Sequence, residues 1–305
     1  MWLKNLTLYR LPEKWPVKAD ALEQKLASQP LKACGGLQME SLGWTAIRNE
    51  GPFLHSQANQ WLLALGVEQK LLPASVIRQA TEERAAKLAK KQAHPVGRKQ
   101  MRDLREQVTT ELLPRALARR RITHGWIDKK AGLLAVDAAA DPKAEQFMET
   151  LRRAESGLTA LRLETLRSPA SAMAEWLSKS AAPGKFTIDQ DLELRAPDAS
   201  HATVRYARHG LDGRDIKDHL SAGKTPVRLG LTWNERISFV LTEHLQVKRL
   251  AFLDILKRED NDQESDEKAD EEEKFEIDFA LMTGELSLLV ADLVKALGGE
   301  KAREA

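Results

Sequence analysis

The sequence predicts an α+β fold with mixed or antiparallel sheets, an inserted basic helical hairpin and a long C-terminal core helix. Segments in which apolar and polar residues alternate occur near both ends of the chain, as half-buried strands require. A stretch rich in Ala, Lys, Arg and Glu begins at Pro73, and this composition favours helix. Within 275–293, apolar residues recur at three- and four-residue steps, which predicts a core helix that stops at Gly298 and Gly299.

Four elements are expected before Pro73. Residues 2–10 are typical of a strand, which Pro12 ends, and 17–28 have helical spacing. Further strands are expected at 43–47 and 60–69, because apolar residues alternate in the second of these.

The hairpin is predicted as two helices, at 74–91 and 98–113, separated by a His-Pro-Val-Gly break. Pro114 ends the second helix, and four arginines follow within 115–121. One apolar stripe of the second helix consists of Met101, Leu104, Val108 and Leu112.

The remaining chain alternates short strands and helices. Strands are expected at 122–128, 133–137, within 186–208, and at 226–231, 237–241 and 247–250. Helices are expected at 141–154, 168–178 and 212–220, and an exposed acidic loop at 259–273. The predicted parts are 1–72 and 122–165 (central lobe), 73–121 (basic helical hairpin), 166–232 (second α+β lobe) and 233–305 (strands, acidic loop and core helix).

Charge is distributed unevenly, although the net charge is only +2. Residues 78–130 contain 15 Lys/Arg and 6 Asp/Glu, whereas 254–285 contain 14 Asp/Glu and 4 Lys/Arg. A strongly basic segment is typical of proteins with a polyanionic partner.

Guanidinium groups bind phosphate in bidentate fashion, so the basic hairpin is the candidate DNA-binding site. It lacks aromatic residues, which favours duplex backbone contacts over base stacking. The alternative is a solvated hairpin whose cations pair with Glu82, Glu83, Asp103, Glu106 and Glu111, but these acids are too few. The candidate residues are Lys90, Lys91, Arg98, Lys99, Arg102, Arg105, Arg115, Arg119, Arg120 and Arg121.

Few motifs indicate catalysis, and no metal or cofactor is expected. The Gly-Lys-Thr of 223–225 resembles a P-loop ending, but Asp218 occupies a glycine position of that motif and Pro226 follows it. The seven histidines form no metal-binding motif, and Cys34 has no evident catalytic partner. Asp128 and Asp137 flank a predicted hairpin and leave open an Mg²⁺-dependent DNA-processing enzyme.

A single cysteine excludes an intrachain disulfide, and no signal sequence or run of about 20 apolar residues is present. We therefore expect a soluble, cytoplasmic protein without a membrane partner.

Several segments resemble the family of the recombination-associated protein RdgC. They are WLKNL at 2–6 with YRL at 9–11, LPASVI at 72–77, LLPRA at 112–116, WID at 126–128 with GL at 132–133, and FALMTGEL at 279–286. Their order and spacing fit that family along the whole chain. Leu117 departs from the pattern, since a phenylalanine follows Pro-Arg-Ala in the family.

The resemblance implies a ring-shaped homodimer with a basic central hole for duplex DNA, without catalytic activity, that is associated with the nucleoid and restrains the RecA recombinase. It places Arg205, Arg208 and His209 near a dimer contact and makes Arg208 a further DNA-binding candidate. Two alternatives stay open. One is the Mg²⁺-dependent DNA-processing enzyme, and the other is a protein-interaction module that uses the acidic stretch 259–273.

Overall fold

The computed structural model describes residues 2–13, 15–48, 51–198, 201–253 and 267–302, and the side chains of all of these except 267–270. The fold is α+β, with a twelve-stranded antiparallel sheet and, in the described ranges, seven α-helices. The strands are β1 Leu6–Arg10, β2 Glu40–Thr45, β3 Leu54–Gln57, β4 Gln60–Lys70, β5 Ala118–Asp128, β6 Leu133–Val136, β7 Leu161–Arg162, β8 Phe186–Arg195, β9 Thr203–Tyr206, β10 Thr225–Trp233, β11 Ile237–Thr242 and β12 Gln246–Phe252. The helices are α1 Ala19–Ala27, α2 Ala74–Gln92, α3 Arg98–Leu112, α4 Asp141–Ala154, α5 Pro169–Lys179, α6 Arg214–Ser221 and α7 Glu267–Ala296.

The chain forms two compact units. The sheet unit comprises Met1–Ala19, His55–Leu62 and His124–Ala305, and the hairpin unit comprises Asp20–Leu54 and Leu63–Thr123.

In the sheet unit, β1 lies centrally, because it pairs with β6 on one side and with β12 on the other. The strand order is β5-β6-β1-β12-β11-β10-β8-β9, and β7 also pairs with β1. The predicted stripe of α7 belongs to the core of this unit, since Phe279, Met282, Leu286 and Leu289 are buried. The core helix predicted from spacing is therefore confirmed.

In the hairpin unit, β2 pairs with β4 from Glu40 opposite Gln69 to Thr45 opposite Ala64. Trp44 of β2 is fully buried, and so are Leu22 and Leu26 of α1. Their burial gives this unit its own apolar core.

Two expectations about local structure are wrong. Helix α7 begins at Glu267, so 267–273 are helical rather than a loop, while 259–266 lie outside the described residues. Glu, Lys and Ala are strong helix formers, so a helix anchored by its buried end extends through polar turns. Strand β5 begins at Ala118, so Arg119–121 continue a strand rather than the helical hairpin.

Within the described ranges, no helix combines the length and apolar character needed to cross a membrane.

Candidate nucleic-acid interface

The helical hairpin forms close to the predicted boundaries. Helix α2 starts after Pro73 and ends at Ala93, which adopts a left-handed conformation with φ 55°. Helix α3 starts after Gly97, whose backbone N–H donates to the side chain of Gln100 at 3.1 Å. The Pro-Gly break therefore separates two helices, as its residues predict.

The hairpin is anchored at one end and exposed along most of its length. The buried side chains are Ile77, Thr81 and Ala85 of α2 and Val108 of α3. Met101 of the predicted stripe is 36% exposed, so the stripe is only partly core. Burial of few side chains leaves most of both helices available to a partner.

Arg84 and Glu111 join the two helices. Arg84 Nη1 donates to Glu111 Oε1 at 2.8 Å, and the second guanidinium nitrogen bonds the other carboxylate oxygen. This hydrogen bonding lowers the pKa of Glu111 and raises the pKa of Arg84. Arg84 is therefore a structural clamp of the hairpin.

The structure brings ten of the eleven candidate DNA-binding residues into the hairpin unit and leaves all ten exposed. They are Lys90, Lys91, Arg98, Lys99, Arg102, Arg105, Arg115, Arg119, Arg120 and Arg121. Arg208 is also exposed, but it belongs to the sheet unit.

Two of these ten candidates have partners in their own unit. Arg120 Nη2 lies 2.9 Å from Glu68 Oε2, and Arg121 donates to the side chain of Gln69 at 2.7 Å. The other eight form no ion pair or side-chain hydrogen bond with the described part of the chain. Arg119 and Arg121 share one face of β5, and Arg120 points to the opposite face, because side chains alternate along a strand.

Glu68 explains why Arg120 differs from its neighbours. Its carboxylate accepts hydrogen bonds from the backbone N–H of Cys34 at 2.8 Å and from Arg120. The hydrogen bond from Cys34 makes the largest contribution to lowering the pKa of Glu68, and the bond from Arg120 the next largest. The carboxylate is therefore charged at neutral pH. Arg120 is therefore neutralised inside the unit unless a stronger anion displaces Glu68.

The five acids of the hairpin do not neutralise its cations. Glu111 pairs with Arg84, and Glu83 accepts a bond from Gln79 at 3.2 Å. Among the residues with described side chains, Glu82, Asp103 and Glu106 form no ion pair. The hairpin therefore keeps an uncompensated positive charge.

The proposed dimer-contact segment lies at β9 in the sheet unit. Arg205, Arg208 and His209 are exposed, and the backbone N–H of Arg208 donates to Asp191 at 3.4 Å. Tyr206 is half-buried; burial and a hydrogen bond to Asp215 raise its pKa to about 12.

Other basic residues come together only in the folded sheet unit. Arg205, Arg228, Lys248 and Arg249 line one cavity, although they belong to β9, β10 and β12. Sequence reasoning missed Arg228, Lys248 and Arg249, because one arginine in β10 and a lysine-arginine pair in β12 form no charge block.

Asp128 and Asp137 do not form a shared metal site. Asp128 accepts hydrogen bonds from Ser287 at 2.7 Å and from the backbone N–H of Ala131 at 2.8 Å. Asp137 accepts two from Asn5, at 2.9 and 3.1 Å. Asp128 pairs with Leu133 at one end of the β5–β6 ladder and Asp137 follows the other end. Among described residues, no group of three or more metal-ligating side chains was found.

These features define an α+β protein with a long antiparallel sheet and an exposed, arginine-rich helical pair. A family model described as "Putative exonuclease, RdgC" matches residues 1–300. Over 303 residues the chain is 48% identical to the recombination-associated protein RdgC of Dechloromonas aromatica (strain RCB), and the match covers 98% of each. A protein of that name from Cupriavidus necator is 46% identical over 301 residues, with 99% of each covered. The chain therefore belongs to the RdgC family of recombination-associated proteins, which confirms the resemblance.

Proposed function

We propose that this protein binds double-stranded DNA without sequence preference, encircles it as a ring-shaped homodimer and restrains RecA-dependent recombination in the nucleoid. The observation that supports this proposal is the set of eight exposed cations of the hairpin unit that form no ion pair with a carboxylate of the described residues. Each phosphate that such a cation neutralises releases a condensed counterion, and this release provides affinity that is independent of base sequence.

The composition of the hairpin favours backbone contacts. It contains no aromatic side chain on which an unpaired base could stack. Arginine and lysine side chains on an exposed helix reach phosphate oxygens, which position a protein on duplex DNA without reading its sequence. We therefore expect the hairpin to contact duplex phosphates.

The ring and its effect on recombination form the second part of the proposal. Arg205, Arg208 and His209 of the sheet unit would lie near a contact with a second copy. A closed ring would hold DNA topologically, so modest phosphate contacts would give a long residence time. Duplex coated in this way would be a poor partner for a RecA filament. The names of the relatives, which refer to recombination, support this role.

The test combines DNA binding, solution mass and strand exchange. We expect a dimer by sedimentation, equal affinity for duplexes of unrelated sequence, and closed circular complexes that dissociate more slowly than linear ones. Inhibition of RecA strand exchange should follow duplex occupancy and disappear when salt removes the protein from DNA. A monomer at working concentration, or inhibition that persists after DNA binding is lost, would contradict the proposal.

A second candidate is a Mg²⁺-dependent DNA-processing enzyme, which the description of the family model favours. In this candidate Asp128 would bind Mg²⁺ without Asp137, because the two carboxylates lie at opposite ends of the β5–β6 ladder and both accept structural hydrogen bonds. Incubation of supercoiled plasmid with the protein and Mg²⁺ separates the two candidates. Nicking that Asp128→Asn abolishes would favour the enzyme, whereas intact plasmid at saturating protein favours the binding role.

A further inference from the structure

A cavity in the sheet unit collects positive charge away from the hairpin. Its volume is 270 Å³, and its walls come mainly from strands β8 to β12. Four cationic side chains and two carboxylates line it: Arg205, Arg228, Lys248, Arg249, Asp191 and Glu193.

The strand register explains this arrangement. Glu193 of β8 lies opposite Arg205 of β9 on one side and opposite Arg228 of β10 on the other. Arg228 Nη1 is 3.2 Å from Glu193 Oε2. Lys248 of β12 lies opposite Val240 of β11, which also lines the cavity. The register therefore brings Arg205, Arg228 and Lys248 together, and Arg249 lines the same cavity.

The positive charge of the cavity exceeds what its own carboxylates neutralise. Within the described chain, the side chains of Arg205, Lys248 and Arg249 form no ion pair and no hydrogen bond. Burial, followed by repulsion from Arg228, lowers the pKa of Lys248. Clustered like charges repel each other, and an anion that binds among them would remove this cost.

We infer that this cavity binds a phosphomonoester, the terminal phosphate of a mononucleotide or of a DNA 5′ end. Four cations against two carboxylates leave a formal excess of two positive charges. A phosphomonoester carries about −1.5 to −2 at pH 7, whereas each phosphodiester of a DNA backbone carries −1. The charge of a phosphomonoester therefore matches the excess positive charge of the cavity better than the charge of a phosphodiester does. This inference goes beyond duplex binding by the hairpin and does not require it.

The first experiment tests the mononucleotide as the source. Deoxyadenosine 5′-monophosphate is titrated into the full-length protein by calorimetry, with deoxyadenosine and inorganic phosphate as comparison ligands. We expect one saturable site per chain for the nucleotide, no binding of the nucleoside, and competition by inorganic phosphate. Lys248→Gln and, at an exposed position of the cavity wall, Arg249→Gln should each weaken binding about tenfold, since each removes a charged hydrogen bond. Lys295→Gln, an exposed lysine outside the cavity, should change nothing.

The second experiment tests the DNA end as the source. Two blunt duplexes of equal length and sequence, one with 5′-phosphate and one with 5′-hydroxyl ends, are compared in wild type, Lys248→Gln and Arg249→Gln. A preference for the phosphorylated duplex that both variants lose assigns the cavity to DNA ends. If the mononucleotide does not bind and both duplexes bind equally, the inference is wrong. It is also wrong if the two cavity variants behave like Lys295→Gln. Binding of closed circular duplex by the same preparations shows separately whether the proposed function fails.

Discussion

In the sheet unit, most described arginine side chains form an ion pair with a carboxylate of the same chain. In the hairpin unit, most described arginine side chains are exposed to solvent and form no such pair. Within the described residues, the sheet unit has seven paired arginines: Arg10, Arg153, Arg162, Arg167, Arg195, Arg228 and Arg236. The hairpin unit shows this pairing at Arg84 and Arg120. Paired arginines hold elements in place, while unpaired arginines on one surface keep their charge for a partner.

The difference in arginine pairing is informative because both units belong to one chain and are exposed to the same solvent. Exposed ion pairs contribute little to stability, so a gain in stability does not explain why more arginines are paired in the sheet unit. The unpaired cations of the hairpin unit repel each other, and a polyanion relieves that repulsion. The difference therefore separates arginines that maintain the fold from arginines that we propose to act on DNA.

The largest expected effect comes from neutralising the hairpin cations. Arg98→Gln, Arg102→Gln and Arg105→Gln together should weaken duplex binding by about two to three orders of magnitude at about 0.1 M salt. The slope of log K against log salt should become shallower by about 2.7, because three counterion-releasing contacts are lost. Fluorescence anisotropy over a salt series measures both quantities.

The matched control neutralises three exposed lysines of the sheet unit: Lys130, Lys217 and Lys295. We expect less than about a threefold change in affinity, because a charge that does not contact phosphate is screened by salt and acts weakly. Equal losses in both triple variants would mean that affinity follows net charge and not the hairpin.

A smaller effect is expected from an arginine that maintains the fold. Arg10 donates to both carboxylate oxygens of Glu300, at 2.8 and 2.5 Å, and to the backbone carbonyl of Gly132 at 3.0 Å. Arg10→Gln should lower the free energy of unfolding by about 2 kcal/mol, since several charged hydrogen bonds are lost. It should leave DNA affinity unchanged, and urea unfolding measures the stability.

The hairpin clamp provides the comparison for Arg10. Arg84 and Glu111 are more exposed than Arg10 and Glu300, so Arg84→Gln should destabilise the protein less than Arg10→Gln does. A larger loss of stability at Arg84 would contradict the distinction between the two units.

The smallest effect is spectroscopic and reports only on the sheet unit, because both tyrosines of the chain belong to it. Burial and the nearby charge of Glu145 raise the pKa of Tyr9 to about 12, and the pKa of Tyr206 is also about 12. At about pH 11, roughly one tenth of the tyrosine should be ionised in the folded protein, against roughly nine tenths in urea. Near-ultraviolet difference absorbance measures both fractions.

The sign of the linked stability change follows from these pKa values. The folded state holds the tyrosine protons to higher pH than the unfolded state, so stability falls as pH rises from about 10 to about 12. If either tyrosine ionised near pH 10 while the circular dichroism spectrum remained that of the folded protein, the surroundings that raise its pKa in the structure would be contradicted.

The helical hairpin was predictable because its signals are local. Helix-forming composition, the Pro-Gly break and the spacing around Val108 placed α2 and α3 within a residue or two of their observed ends. The exposure of the basic side chains followed from the same amphipathic pattern. The beginning of α7 was missed, because a polar stretch without apolar spacing can be a loop or a solvated helical turn.

The residues that pair across the fold were not predictable. Arg120 belongs to the candidate set by sequence, yet it meets Glu68, 52 positions earlier in the chain. Arg228 stands in β10, whereas Lys248 and Arg249 are neighbours in β12, and they line one cavity only because β8 to β12 pair side by side. No local pattern carries this information.

The sequence by itself determined the fold class, the arginine-rich hairpin and the buried face of α7, because composition and periodicity act over a few neighbouring residues. Only the tertiary structure decided which cations are neutralised and which stay free, and which scattered cations share a cavity. The physical reason is that ion pairs and strand register depend on distances between residues far apart in the chain, and those distances exist only after the apolar surfaces have been buried.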